Sequence, residues 1–578
     1  MRTLDNQTDK KIANCRDATL EGLHNARFPL PAIERALLTA IALFLALQAT
    51  LVFFQEINWD EFFFLSQIYD HARGELTRPL QTIHVYLFGR LRLLAIDEIG
   101  QITVARLVML LFELGTMASI YALARLFVSR TAAFLAVLAY ITAGFVFLYG
   151  ASFRTDPIAA CLMMVSLVLV ARARWSFPVL ALVALLLGLA GMVTLKTAFY
   201  LPVLVALGLW RVKKAEQPAR EFSKLVACGI AALGVFCAFY LIHQSTMPGP
   251  TGPPGKAVGS IAHTAFLSGV LFPTSDDLVR GAAMAIVQSL LLVCGLALAV
   301  IRFVTERESR GQHAVILMLA SPLVSFLFYS NAYPYFFAFI FPPAMIFVGL
   351  AYDRLRLSGI GKMALIAIMC LPTILLLVRS IQQDRTAQTE VIEAVHRMFP
   401  EPVAYIDRNG MIASFPKRGV FMSAWGLKNY RQIGEPIYGD ILRKETVPLL
   451  ILNSPSLEDA VGRPLSAPVR AELLPEDKIV LASNYIPHWG HIWVAGQSHD
   501  LSDRPKTIHI AVPGHYRVEA SHPVRLDGRT LQPGEAINLR RRSYGMSSTV
   551  PQKINLRWGR KLVRPLTGPS DRPIYRGF

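Results

Sequence analysis

Eleven apolar runs set the terms on which this chain can fold, because a backbone in hydrocarbon must close its own hydrogen bonds and a helix does so within one segment. They lie near 36–54, 104–126, 131–149, 157–171, 177–193, 198–210, 224–243, 284–301, 314–329, 336–352 and 363–379. Several are shorter than the roughly 20 residues that usually cross a bilayer. The first is too long for a signal-peptide core and lacks a convincing cleavage site, so it is expected to stay as a helix. With 53% hydrophobic and 17% charged residues, disorder, collagen-like fibre and an ordinary soluble enzyme are excluded. The expected fold class is a polytopic α-helical membrane protein.

Basic residues set the expected orientation. The connections after alternate runs carry Arg125 and Arg130; Arg172 and Arg174; Arg211, Lys213, Lys214, Arg220 and Lys224; Arg302, Arg307 and Arg310; then Arg354, Arg356 and Lys362. By the positive-inside rule these loops are cytoplasmic. A net charge of +18 therefore reflects membrane topology, and no nucleic-acid partner is expected. Residues 1–35 become a cytoplasmic segment, 36–380 a membrane domain with an outer loop at 55–103, and 381–578 an outer domain, which in a bacterial inner membrane is periplasmic. Another outer loop, around 248–277, is rich in Gly and Pro. Five of the six cysteines, Cys161, Cys228, Cys237, Cys294 and Cys370, lie in or beside apolar runs and Cys15 in the polar start, a pattern that frames neither disulfides nor a thiolate metal site. No internal repeat marks a transporter built from two halves.

The terminal region reads as α/β and then β. Helical spacing covers 386–398, buried strands fit 403–407 and 449–453, and strand alternation runs through 507–519 and 524–539. Asp527-Gly528 suits a tight type I′ hairpin turn.

Ionisable groups at the outer edges of the runs are the candidate chemistry. Asp60 and Glu61 follow the first run and open an interfacial helix continued by Phe62, Phe63, Phe64, Leu65, Ile68 and Tyr69. They cap that helix, or one of them removes a proton from a hydroxyl. A second stretch places Leu80, Ile83, Leu87, Leu91 and Leu94 on one face with Arg90 and Arg92 away from it. Arg154 and Asp156 occupy a very short outer turn, where they pair with each other or serve a site. Lys196 sits in the next such turn, where it snorkels or binds an anion. Tyr333 and Tyr335 make a fourth turn and suit the aromatic belt as well as a supporting role. His71 and His84 have no helical metal-pair spacing, and Tyr485, His488, Trp489, His491 and Trp493 stack on a sugar or fill a core. What unites Asp60, Glu61, Arg154, Asp156 and Lys196 is one side of the membrane and one depth.

An acidic pair after the first span, an interfacial first loop, an Arg-x-Asp-Pro turn, a Thr-x-Lys turn and an outer region after an odd number of spans together resemble the GT-C superfamily of polyprenyl-phosphate-sugar glycosyltransferases. Within it the chain looks like the aminoarabinose transferase and protein O-mannosyltransferase group. The likeness covers roughly residues 36–380. It implies that Asp60 or Glu61 faces the acceptor as general base and that Lys196, with Arg154, faces the donor phosphate. Lipid A-modifying members carry Lys-Pro-Pro in the first loop, where this chain has Thr77-Arg78-Pro79-Leu80. The acceptor is therefore open among lipid A or lipopolysaccharide core, another envelope glycan, and protein. Membrane lipid is a further partner. No cofactor is expected, although two carboxylates with water ligands can hold a divalent ion. A single displacement would invert the anomeric centre. The rival readings are a lipid or solute transporter or flippase, with its charges along a pathway, and a membrane-anchored glycan-binding scaffold.

Overall fold

The computed structural model describes residues 30–248, 275–329, 331–469, 471–570 and 572–576. Most of the segment 1–35, with Cys15, and nearly all of the Gly/Pro-rich loop around 248–277 lie outside the described residues. Among the described residues eight helices are long and apolar enough to cross a membrane: α1 (Ala32–Phe54), α3 (Glu98–Ala124), α4 (Thr155–Arg172), Leu195–Lys214, Pro218–Ser245, Ile286–Thr305, Pro334–Tyr352 and Gly359–Ile381. Between α1 and α3 lies the shorter α2 (Trp59–Arg73). Arg310–Met318 and Ser321–Leu327 form a ninth span if they are taken together, bent by 47°. Arg130–Ile141 and Phe177–Val193 are apolar but shorter. Every expected run thus coincides with helix, and the protein is a multi-pass membrane protein.

Along α1 the side chains of Leu37, Ile41, Phe44, Gln48, Leu51 and Val52 are buried while Leu43, Phe53 and Phe54 are exposed. That is the one-sided stripe of a helix with a bundle on one side and lipid on the other. Pro334–Tyr352 is enclosed almost throughout, whereas Pro218–Ser245 shows nearly its whole surface. Helix packing is closest at Gly295, where an added Cβ would lie 1.9 Å from the Phe347 carbonyl oxygen.

The run 131–149, expected as one span, is broken at Thr142 into Arg130–Ile141 and Gly144–Tyr149. The break frees a carbonyl, and two neighbouring helices satisfy it. Gln288 Nε2 and Thr373 Oγ1 donate to the Thr142 oxygen at 3.1 and 2.6 Å.

The two ends of the bundle are distinct. At one end Ser129 donates from its backbone N–H and Oγ to Asp353 (2.8 and 2.5 Å), and Arg130 pairs with Glu34. At the other end the close of α1 bridges Gln55 to Asp384, beside the starts of α2, α3 and α4. The first loop does not give the expected single apolar face. It is a short helix, His84–Phe88, followed by the 3₁₀ turn Gly89–Leu93. The change of period leaves Leu80 and Leu91 buried but Leu87 and Leu94 exposed.

The C-terminal region begins with the helix Thr386–Met398, as its spacing implies. One sheet joins β1 (Tyr405–Ile406), β2 (Lys417–Arg418), β3 (Leu449–Ile451), β4 (Tyr485–Trp489), β5 (Ile492–Leu501), β7 (Gly514–Glu519), β10 (Ala536–Leu539) and β12 (Gln552–Trp558). A four-stranded sheet joins β6 (Lys506–His509), β8 (Val524–Leu526), β9 (Arg529–Leu531) and β11 (Ser543–Ser547). β1 runs parallel to β2 and β3, and the strands from β3 to β5 onward pair antiparallel. The single alternating stretch expected at 507–519 divides into β6 and β7 in different sheets, because Pro513 has no N–H for a ladder. The Asp527-Gly528 turn joins β8 to β9, both residues having the positive φ (46° and 81°) of a type I′ turn. Tyr485, His488, Trp489 and His491 are buried, with His491 Nδ1 on the Leu452 carbonyl at 2.9 Å, so these four serve the core.

The apolar side chains of this region are not separate from those of the bundle. Val391, Tyr405, Met411, Leu449 and Ile492 belong to the same continuous cluster as Leu65, Ile102 and Phe153. Two further cores gather around Leu450 and around Val518.

Gly295→Ala is expected to lower thermal stability in detergent by about 1–3 kcal/mol, the usual cost of overpacking. Gly234→Ala, where an added Cβ meets nothing within 4 Å, is the control. Equal melting of the two variants would show that the helix crossing at Gly295 is not the tight one.

Candidate active site

The site is built at the first turn of α2. Asn58 caps the helix, its side chain accepting the Asp60 N–H at 3.0 Å, while the Glu61 side chain accepts the Asn58 N–H at 3.1 Å. This reciprocal capping box stabilises the turn. Glu61, expected alongside Asp60 as a candidate for the base, is committed elsewhere. Arg106 of α3 donates to both its oxygens at 2.6 and 2.8 Å, and the Phe153 N–H adds a bond at 2.8 Å. Burial alone would raise its pKa, but the Arg106 charge, the Arg106 hydrogen bonds and the two backbone N–H groups prevail and hold the carboxyl below its ordinary value. Arg106 also donates to the Gln55 and Glu56 carbonyls at 3.0 Å each, closing the end of α1. Glu61 is thus the joint of three elements, with 1% of its side chain exposed.

Asp60 turns the other way and keeps 16% of its side chain exposed. It pairs with Arg154, the residue that opens α4. Arg154 lies 3.5 Å from Asp156, and Asp156 pairs with Lys196. The four groups form one chain of alternating charge, Asp60–Arg154–Asp156–Lys196, drawn from three turns at the same end of the bundle. Pro157 fits the first turn of α4, and Asp156 places a negative charge at its N-terminus. Lys196 stands in the 3₁₀ helix Leu195–Tyr200, capped by the Thr194 hydroxyl. The turn is so short that the ammonium stays buried, paired rather than snorkelling to the surface. Tyr335 covers the cluster, its ring centroid 3.3 Å from Arg154 Cζ and 5.7 Å from Lys196 Nζ. Tyr333 lies beside it, ring to ring 6.1 Å.

Such a chain can accept a proton at its exposed end and neutralise an anion with two cations. Each carboxylate in it already faces a basic side chain, and Glu61 has no lone pair to spare. The donor set therefore does not fit a divalent cation. His84 Nε2 bonds the Phe64 carbonyl at 3.1 Å and His71 contacts the Thr246 hydroxyl at 3.3 Å, so neither histidine belongs to the cluster.

Arg106 was missed in the sequence, as were Gln48 and Glu113. Gln48 Nε2 donates to the buried Glu113 at 3.1 Å and to the Phe147 carbonyl at 3.1 Å, between α1 and α3. The available signal was an ionisable residue inside an apolar run, which is costly without a partner.

No protein-family model and no curated protein matches the chain. Among solved structures it is similar to ArnT from Cupriavidus metallidurans bound to undecaprenyl phosphate, with a TM-score of 0.52 and 13% identity over 76% of this chain and 97% of that one. The apo form of the same protein gives 0.52 and 13% over 75% and 95%. The archaeal oligosaccharyltransferase AglB from Archaeoglobus fulgidus gives 0.49 and 11% over 91% and 96%. What the chain shares with ArnT at this identity is the architecture: it has the GT-C fold.

Replacing Arg106 by Met leaves Glu61 a buried charge without its cation, which should cost about 3–5 kcal/mol and cut the yield of folded protein. Glu61→Gln should fail in the same assay. Asp60→Asn should do less harm, since Arg154 keeps Asp156. If all three melt like wild type, Glu61 is not the joint described.

Proposed function

We propose that this protein is a glycosyltransferase that moves a sugar from a polyprenyl-phosphate donor to an acceptor on the outer face of a bacterial inner membrane, with inversion at the anomeric centre. The observation that carries the reading is the buried chain Asp60–Arg154–Asp156–Lys196 at one end of a GT-C bundle. Asp60 takes the acceptor proton, because it alone of the acidic pair has a partly exposed carboxylate. As the glycosidic bond breaks, negative charge grows on the polyprenyl phosphate, and Lys196 and Arg154 stabilise it. Away from bulk water their fixed charges count for more than they would on a wet surface. Asp156 holds both cations in place before the phosphate arrives. The sugar passes through an oxocarbenium-like state, so a carboxylate near the anomeric carbon is favourable there too. Tyr335, stacked on Arg154, and its neighbour Tyr333 wall the donor side.

The orientation belongs to the same proposal. The N-terminus is cytoplasmic, and the site and the region beyond 380 are periplasmic, as the alternation of Lys and Arg implies. Lipid A or lipopolysaccharide core, another envelope glycan, or protein is the acceptor. ArnT, of the same fold, has been solved with undecaprenyl phosphate bound, which supports a lipid-phosphate donor here.

Mass spectrometry of envelope glycans, lipids and proteins from cells with and without the gene should reveal one glycosyl mass difference. With that product as the readout, Asp60→Asn should lower transfer by about 10² to 10⁴ at unchanged protein level. Lys196→Ala should weaken both polyprenyl-phosphate binding and turnover, by about 3 kcal/mol in the transition state, and Lys196→Arg should recover part of it. Wild-type turnover in Asp60→Asn would refute the base, and wild-type behaviour of both Lys196 variants would pass the phosphate to Arg154. An alkaline phosphatase fusion after Ser380 should be active, and an inactive one would put the site on the wrong side.

A further inference from the structure

Asp60 is the second residue of α2, and the groups that steady this end of the helix come from the far end of the chain. The Trp59 carbonyl accepts a hydrogen bond from Asn409 Nδ2 at 2.9 Å. The Arg408 guanidinium lies over the Trp59 ring, 3.8 Å from its centroid. Tyr575 meets Trp59 edge-on at 6.0 Å, and its hydroxyl accepts from Asn409 Nδ2 at 2.8 Å. The Arg576 N–H donates to Glu56 at 2.8 Å. Farther along the same face Phe421 stacks on Phe63, centroids 4.0 Å apart and planes 9° apart.

The turn that presents Asn409 is itself rigid. Asp407 follows β1, is fully buried, and accepts the N–H groups of Asn409, Gly410 and Met411 at 3.0, 2.7 and 2.8 Å. Asn453, just after β3, donates to Asp407 Oδ2 and to Asn409 Oδ1, both at 3.0 Å, and accepts the Arg408 N–H at 2.8 Å. Gly410 has φ +82°, and a Cβ there would stand 2.7 Å from Ser66 Cβ of α2. Two strands of the C-terminal sheet thus hold a turn in which the side chains of Asp407, Asn409 and Asn453 are all hydrogen-bonded, and Asn409 Nδ2 also donates into the first turn of the helix that carries Asp60. Satisfied buried networks of this kind confer rigidity, and a reacting carboxylate misplaced by about 1 Å can cost about 10²-fold in rate.

We propose that the Asp407–Met411 turn is a positioning device for Asp60, so that the C-terminal region completes the active site instead of being an appended module. Asn409 and Arg408 are positioning residues that act through Trp59. The inference rests on the reading of Asp60 as the base, but its physical core, restraint of the start of α2 by this turn, can be measured without any turnover.

The test is hydrogen–deuterium exchange on the full-length protein in detergent, comparing wild type with Asn409→Ala and, as a milder change at a partly exposed side chain, Arg408→Ala. Both variants should raise exchange in peptides covering residues 59–66 by about tenfold, the scale of a local opening, and leave the strand peptide covering 449–451 protected. Binding of a synthetic polyprenyl phosphate should stay within about twofold of wild type, since Arg154 and Lys196 are untouched, while kcat for the product identified by mass spectrometry falls by about 10- to 10²-fold. Should Asn409→Ala unfold the sheet, exchange at 449–451 rises too, and Arg408→Ala decides. Unchanged exchange at 59–66 in a variant that keeps 449–451 protected would overturn the proposal. So would faster exchange at 59–66 accompanied by wild-type kcat. If instead Asp60→Asn keeps full activity, it is the assignment of the base that fails, and the exchange data still decide the restraint.

Discussion

The buried ion pair between Glu61 and Arg106 is the interaction on which the rest of the site depends. Arg106 sits two turns into a membrane helix, where a lone guanidinium would be expensive. Glu61 meets it with both oxygens, and Arg106 also donates to the Gln55 and Glu56 carbonyls just past the end of α1. The Phe153 N–H then ties in the turn before α4. One pair thereby sets α1, α2, α3 and the start of α4 relative to each other. Because neighbouring residues at a helix start point in different directions, locking Glu61 inward sends Asp60 toward Arg154.

From that arrangement follows a division of labour within the acidic pair. Glu61 is held ionised by charge and hydrogen bonds and has no free lone pair, so it belongs to the structure. Asp60 has a single strong partner and some exposure, so it can exchange that partner for another group. The same economy governs Arg154, Asp156 and Lys196. Each would be costly alone in a dry setting, but as an alternating chain every charge has an opposite neighbour. In the proposed reaction the donor's singly charged phosphodiester, and the more highly charged phosphate monoester left when the glycosidic bond breaks, would share the two cations without leaving either bare.

The C-terminal region is joined to this machinery by packing as well as by polar contacts. Its first sheet shares an apolar cluster with the bundle. Glu98, at the start of α3, accepts from Ser414 at 2.7 Å and contacts His396 at 2.9 Å. The His396 pKa is raised, chiefly by its hydrogen bond to Glu98, so this link is strongest below the ordinary histidine range and weakens as pH climbs through the raised value. The four-stranded sheet, packed on the core around Val518, lies beyond this coupling.

The helical membrane class, the position of each span and the convergence of Asp60, Arg154, Asp156 and Lys196 at one end were legible in the sequence. Those features rest on local properties: continuous apolar runs, very short turns between them, and the rule that an ionisable group near hydrocarbon needs a reason to be there. The hairpin at Asp527-Gly528 was legible for the same kind of reason, since a positive φ is a demand on one or two residues. The break at Thr142 was not, because its freed carbonyl is satisfied by Gln288 and Thr373 from helices remote in sequence. Nor was the difference between Asp60 and Glu61, which are chemically alike and adjacent; it is made by Arg106 some 45 residues away. The grip of the Asp407–Met411 turn on Trp59 spans 350 residues. Local chemistry decided which groups would gather at one end of the bundle, and only the tertiary packing decided which of the acidic neighbours is buried as a joint and which keeps some exposure, because burial and partnership are properties of contacts between distant segments.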